Sequence, residues 1–494
     1  MLAKIRHAAA VAGLGATMLL TVSTGSAAAF GPVPPANPYL GPIGTATMHG
    51  DAEASDTTPL PGPGTGNVHA DFHELAAACP TIMQGADGFP QALCTKISDR
   101  APEVLLLDPA NGNTLASLDL TKGSLLGGVY AYLDNNDRMV TVDGSGNLLR
   151  IGHDNGGSGG SPRLFIASKT DVSQAVAGHC GGGTCDSVSS VSPDWNGRVW
   201  FATDNAAAGF VDTDGTAKSI VLAPGEMVAN SIATAPDGVA VATDHALYLL
   251  NVDGSGNPHI VWRQAYDRGP ARKPGQLSWG TGSTPTFFGP GDGTEYLTIV
   301  DNAANKENLL VYNTATGNQV CSVPAIDGSE NSPIGSGNSV FVASTYGYPY
   351  PQLPPNAGTS QPASANFTGG MTRIDVSGSG CNVVWTNTVP SSAVPRLSVP
   401  DGKIYTITRR SGLGSGSGGS GSSGSSSGSA GSGSGGVLDH YSYTVIDANT
   451  GNIDTEQTIG ATTINDTLQM VGTIAPGRIQ YQGTVSGLFR ITPN

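Results

Sequence analysis

Basic residues are scarce in this chain: 23 Lys and Arg face 38 Asp and Glu over 494 residues, for a formal net charge of -15. That balance argues against a nucleic-acid partner, because displacing phosphate counterions takes a basic stripe. Charge of either sign is thin, at 12% of residues, and aromatics make up only 6%. After the N-terminal leader no window approaches the roughly 20 apolar residues of a membrane span. There is no G-x-S-x-G elbow, no Gly-Lys phosphate loop and no H-E-x-x-H helix, so the chemistries those motifs carry have no foothold. No two-residue spacing of Cys or His is repeated, which leaves zinc without its usual ligand pattern. Glycine, by contrast, is abundant: 70 residues, about twice the ordinary share of roughly 7%.

The first 29 residues read as a secretory leader, removed on export. Lys4 and Arg6 form its basic start, an apolar stretch runs from Ala8 to Val22, and Ser26 to Ala29 supply small residues for cleavage. No Arg-Arg pair precedes the apolar stretch, which favours the general secretory route over the twin-arginine one. The expected product is a freely secreted, extracellular monomer. Its six Cys fit an oxidising compartment and an even count of disulfide partners. Proximity suggests Cys79 with Cys94, and Cys180 with Cys185; Cys321 and Cys381 remain, and spacing alone does not fix the pairing.

Residues 30–99 are read as a Pro/Gly-rich N-terminal arm holding one disulfide, with Pro32-Val-Pro-Pro-Ala-Asn-Pro38 as its most extended stretch. From residue 100 to 494 the texture is all-β: short runs of Val, Ile, Leu, Tyr and Thr between Gly, Asp, Asn and Pro. A repeat organises them. Leu105-Leu-Leu-Asp108-Pro-Ala-Asn-Gly112, Leu310-Val-Tyr-Asn313-Thr-Ala-Thr-Gly317 and Thr444-Val-Ile-Asp447-Ala-Asn-Thr-Gly451 each place a Gly-closed turn after an apolar strand, where the Gly supplies positive φ. A second turn recurs at Pro193-Asp-Trp-Asn-Gly197, Pro236-Asp-Gly238 and Pro400-Asp-Gly402, again followed by a strand.

Four-stranded units of about 40 to 65 residues point to a β-propeller of antiparallel blades around a channel. Six internal units start near residues 124, 186, 228, 282, 330 and 392. The tail from Gly477 to Ile491 is expected to complete a blade with strands from 104 to 120, closing the ring by pairing N- and C-terminal strands and covering open sheet edges. That gives seven blades, or eight if the two terminal parts form separate ones. Two insertions, Tyr346 to Gly370 and the Gly/Ser tract 411–436, fall between second and third strands, on the face that also carries the inter-blade loops. The Gly/Ser tract is too poor in apolar residues to order.

Aligning the units at their first strands gathers Asp186, Asn230, Asn331, Asn465 and Asp466, with Glu226 and Glu330 beside them. Around a channel mouth these oxygens would suit Ca²⁺; the alternative is that they satisfy backbone groups where strands begin. Tyr346, Tyr348 and Tyr350 offer an aromatic platform to a sugar or peptide, or else pack their own rings in a Pro-stiffened loop. Trp279, in an inter-blade loop, lines a pocket or covers a blade edge. His69-Ala-Asp71-Phe-His73 puts two His and an Asp on one side of a strand, as a metal site wants or as a solvated face permits.

The blade that opens with Asn230-Ser-Ile-Ala-Thr-Ala-Pro-Asp-Gly238 and runs on to Asn251 resembles those of gluconolactonase and paraoxonase-like propellers, where an Asn opening the inner strand is a calcium ligand. Asn465-Asp466 is similar to the Asn-Asp of that lineage, yet no matching His-His or Asp catalytic pair is present. The Asp-x-x-Thr-Gly turn at Asp447, and its Asn313 counterpart, resemble the repeat of quinoprotein dehydrogenases. Trp262 and Trp385 stand where that repeat ends in Trp, while the family's adjacent-Cys disulfide against the quinone is missing. The propeller as a whole is thus similar to a secreted quinoprotein-like chain with blades and no cofactor site. The expected function is non-catalytic binding of a small molecule, glycan or protein by the loop-bearing face. The alternatives are a Ca²⁺-dependent lactonase or esterase and a quinone-dependent oxidoreductase.

Overall fold

Runs such as Val199–Thr203, Ala246–Val252 and Ile334–Ser336 carry apolar or small residues at almost every position. Strands of that kind need cover on both faces. In the computed structural model, which describes residues 30–123, 129–177, 186–355, 357–378, 380–411 and 439–494, they find it between neighbouring sheets. Eight sheets form among these residues, each a blade of four antiparallel strands, one of them extended by a short parallel fifth strand. Blades 1 to 7 span Ala77–Asp119, Tyr132–Asp171, Val188–Val221, Ala233–Ala265, Thr286–Ile326, Ile334–Asn387 and Arg396–Ala461. Blade 8 takes three strands from Gly472–Pro493 and its outermost strand, here β2 (Val68–Glu74), from the N-terminal part. Outer strands alternate instead: Pro258–Ala265 is exposed at every second residue, because one of its faces meets water.

The ring therefore has eight blades and closes through N- and C-terminal strands, but with different partners from those expected. The tail pairs with β2, and residues 77–119, with strands inside the segment read as an arm, make a blade of their own. The second and third strands of blade 6 flank the Tyr346 insertion, as read from the sequence. The leader, Cys180 and Cys185, and residues 412–436 of the Gly/Ser tract lie outside the described residues.

The Gly-closed turns have a docking role. Trp385, on the outer strand of blade 6, lays its ring on Gly451 of blade 7, where an added Cβ would come within 2.7 Å, and its Nε1 donates to Ala448 O at 3.1 Å. Trp262 of blade 4 repeats this on Gly317 of blade 5, donating to Thr314 O at 2.9 Å. Positive φ at both glycines (74° and 69°) reinforces the requirement for Gly.

Two disulfides are described. Cys79–Cys94 joins the first two strands of blade 1, and Cys321–Cys381 ties the outer strands of blades 5 and 6 across 60 residues of chain. Replacing Cys321 and Cys381 together by Ser is expected to lower stability by about 2–4 kcal/mol. The urea midpoint reads this; an unchanged midpoint would mean that packing alone holds these two blades together.

The largest departure from the sequence reading is residues 30–66. They circle one end of the channel and then turn into it. Asn37 Nδ2 donates to Pro193 O at 2.9 Å, and Leu40 bridges Asp134. The chain next lies along the innermost strands: their N–H groups at Gln84, Leu133, Thr234, Phe287, Gly335 and Leu397 donate to the carbonyls of Thr45, Ala46, Ala52, Glu53, Ser55 and Asp56. A two-residue strand β1 (Thr57–Thr58) pairs in parallel with Leu397 and Ser398. Residues 48–58 are buried throughout. This segment plugs the channel by satisfying sheet edges that would otherwise face it bare.

Candidate functional site

Because blade strands alternate in direction, the inter-blade loops and the second-to-third-strand loops share the end of the channel opposite the plug. They surround a cavity of about 1220 Å³ whose floor includes Met48 and His49 of the plug. Its walls combine Val129, Val228, Val394, Met470 and Val471 with Tyr130, Asn230, Trp279, Glu330 and Tyr350. The blade 6 insertion reaches across the mouth. It is anchored by Thr345 N donating to Gly328 O and Gly347 N donating to Pro274 O, both at 2.9 Å. On the far side, Arg100 Nη2 in the blade 1 loop donates to Gln352 Oε1.

The four aromatic candidates separate. Trp279 is 39% exposed on the wall, with the Arg268 guanidinium stacked 3.8 Å from its ring centre and its Nε1 donating to Arg268 O at 2.9 Å. Tyr350 also lines the cavity, its hydroxyl buried without a partner among the described residues. Tyr348 is a strut: it is 3% exposed, donates its hydroxyl to Asp466 Oδ1, and packs on Phe367 and beneath Arg409. Tyr346 packs over Gly328, in contact distance of that residue, outside the cavity lining.

The oxygens assembled for Ca²⁺ are dispersed or already engaged. Asp186 Oδ1 accepts from Ser187 N, Asn205 N and Asn205 Nδ2 within 3.1 Å. Glu226 accepts from Arg263 at 2.6 Å, Thr243 at 2.6 Å and Tyr248 at 2.8 Å. Asn331 Nδ2 donates to Gln469, Asn465 Oδ1 accepts from Ala461 N, and Asp466 receives Arg409 Nη1, Leu468 N and Tyr348. Among the described residues no group of three His, Cys, Asp or Glu is placed to hold a metal ion. On β2, His69 Nε2 bonds Asp71 at the exposed surface while His73 packs against Gly112 of blade 1. Of the seven residues, only Asn230 and Glu330 reach the cavity.

A quinone tricarboxylate fits no better. Of the Lys and Arg side chains on the cavity wall, Arg268 is ion-paired to Asp244 at 2.8 Å, Lys96 to Asp119 at 2.9 Å, and Arg100 is bonded to Gln352, while the wall also carries an acidic group with no ion pair among the described residues. That group is Glu330. Its Oε2 accepts from Leu277 N at 2.9 Å, and burial pushes it up to about 7 against the opposing pull of that hydrogen bond and of Arg272.

Sequence reasoning missed the floor. His49 Nδ1 sits 3.1 Å from Asp56 Oδ1, Ser332 donates to Asp56 Oδ2, and Arg396 lies 3.9 Å from Oδ1. A Pro-rich stretch followed by short polar residues gave no signal of burial, although four acids or histidines within eight residues (His49, Asp51, Glu53, Asp56) were there to be asked about.

Burial raises Asp51 to about 6 and Glu53 well above the usual carboxylate range, and both of Glu53's oxygens lack hydrogen-bond partners among the described residues. With Glu330, these acids keep protons in the folded state that the unfolded chain has shed above about pH 4. The resulting penalty grows as pH climbs through 6 and 7. The melting temperature is expected to fall steadily from pH 5.5 to 8, with a shallower slope in Glu53→Gln; a melting temperature that rises over this interval contradicts the account.

No protein-family model matches the sequence, and no curated protein matches it. Solved structures do. A quinohaemoprotein alcohol dehydrogenase from Pseudomonas putida HK5 aligns at TM-score 0.54 and 11% identity, covering 91% of this chain and 80% of that one. One from Comamonas testosteroni aligns at 0.53 and 10%, covering 90% and 80%. BamB from Moraxella catarrhalis aligns at 0.45 and 11%, covering 86% and 98%. At this level of identity the two alcohol dehydrogenases share the chain's fold, a β-propeller.

Proposed function

We propose that this protein is a secreted, non-catalytic binding propeller that takes a small organic molecule into the cavity on its loop-bearing face. The observation that carries this is the cavity itself: plugged at one end, crossed by an insertion at the other, and apolar with a few convergent polar groups, as ligand sites are. Two disulfides accord with export into an oxidising compartment. Among the described residues the hydrolase alternative lacks a free set of oxygens for calcium, and the oxidoreductase alternative finds the cavity's cations already engaged, Arg268 and Lys96 in ion pairs and Arg100 with Gln352.

The test uses N-phenyl-1-naphthylamine, a neutral dye that brightens in apolar pockets. Saturable binding is expected, weakened about tenfold by Trp279→Ala combined with Tyr350→Ala, the loss of two aromatic walls. Equal dye affinity in the double variant, or no saturable binding, removes the cavity from consideration.

A further inference from the structure

Resting on the reading of the cavity as a ligand site, the charge pattern within it points to the ligand's chemistry. Asp244, at the rim, is neutralised by Arg268 at 2.8 Å. Glu330 is different: among the described residues no Lys, Arg or His lies within ion-pair distance of it. Its support comes from backbone: Leu277 N donates to Oε2, and Ser278 N pulls the same way. Arg272 is the nearest cationic influence, but its Nη1 is committed to the carbonyls of Lys273 and Gln276, at 3.3 and 2.7 Å. Glu307, the neighbouring acid, has its own cation in Lys273 at 3.6 Å. Two tyrosines complete the surroundings. Tyr130 and Tyr350 line the same cavity, and the charge of Glu330 bears on both hydroxyls.

We propose that the cavity binds an organic cation, a substituted ammonium on an apolar body, with Glu330 as its counter-ion and the rings of Tyr130 and Tyr350 against the charge. A carboxylate among aromatic faces suits a weakly hydrated cation, which gains from both the ion pair and the ring quadrupoles. The formal net charge of -15 raises the local concentration of cations around the molecule. Before a ligand arrives Glu330 holds its proton up to about pH 7, since burial without an ion-pair partner disfavours the charged form. An arriving ammonium replaces that proton, so binding releases it.

The probe is phenyltrimethylammonium, whose charge does not titrate, measured by calorimetry and by displacement of N-phenyl-1-naphthylamine from the disulfide-intact protein. Expected are one site per chain, affinity rising about tenfold from pH 6 to 8 as Glu330 ionises, and no competition from benzoate. Glu330→Gln is expected to lose at least tenfold in affinity for the cation, with circular dichroism and a cooperative thermal transition showing that the variant is folded. Unchanged cation affinity in Glu330→Gln, or dye that phenyltrimethylammonium does not displace, overturns the proposal and leaves the cavity reading standing. Failure of the dye to bind at all brings down both.

Discussion

Deleting residues 30–66 is expected to abolish the cooperative thermal transition, leaving a chain that is degraded or aggregated instead of a propeller with an open channel. The segment accepts hydrogen bonds from the inner strands of six blades, each contributing about 0.5–1.5 kcal/mol net. Its loss also exposes those strand edges and the apolar surface beneath Phe30, which packs on Phe341 with ring centres 5.7 Å apart. Set against a typical domain stability of about 5–15 kcal/mol, losses of that kind consume most of it. Circular dichroism of the truncated protein, produced beside the full chain, decides the matter. A melting temperature within a few degrees of the full chain would mean that the eight blades hold the ring unaided and that the plug is an accessory.

Arg396→Ala should be the most damaging single substitution in the floor. Arg396 is 1% exposed, donates to Met48 O, and stands 3.9 Å from Asp56 with Asp51 close enough to feel its charge. Removing one partner of a buried pair strands the other, at a cost of about 3–5 kcal/mol. Urea unfolding of Arg396→Ala measures it. Arg396→Met with Asp56→Asn, which removes charge from both sides and keeps volume, should recover part of the loss. If the single variant loses less than about 1 kcal/mol, or the double variant is worse than the single, the ion pair is not what secures the floor. His49 would report the same event, since its Nδ1 shares Asp56 with Ser332.

The blades were legible because their signal is local. Asp447 to Gly451 closes its own turn, with Asp447 Oδ1 accepting from Asn449 N and Thr450 N, so the pattern survives in sequence without knowledge of the neighbouring blade. The register of closure was less so. β2 reads Val-His-Ala-Asp-Phe-His-Glu, an outer strand whose polar face obscures its apolar one, and Pro80 interrupts the first strand of blade 1 at a bulge. Residues 48–58 were illegible for a different reason. Their partners are backbone N–H groups and buried charges contributed by blades hundreds of residues away, and such partners impose no hydrophobic period on the sequence. The site shows the same division. Glu330 and Asn230 could be placed near the channel by aligning blades, whereas the difference between Tyr350 on the wall and Tyr348 behind it depends on Asp466 and Arg409, distant in sequence and supplied by other loops.

The sharing of blade 8 between the two ends of the chain sets an order of events during synthesis. Val68 N donates to a side chain 389 positions further on, and β2 runs antiparallel to Gly487–Pro493 at the opposite end of the chain. A chain made from its N-terminus must therefore keep β2 unpaired until almost every other strand exists. An unpaired strand invites pairing with other copies, and β2 is equipped for the wait: His69, Asp71 and His73 share one side of it, and Glu74 ends it. Those polar side chains act as gatekeepers over the interval before the ring is complete.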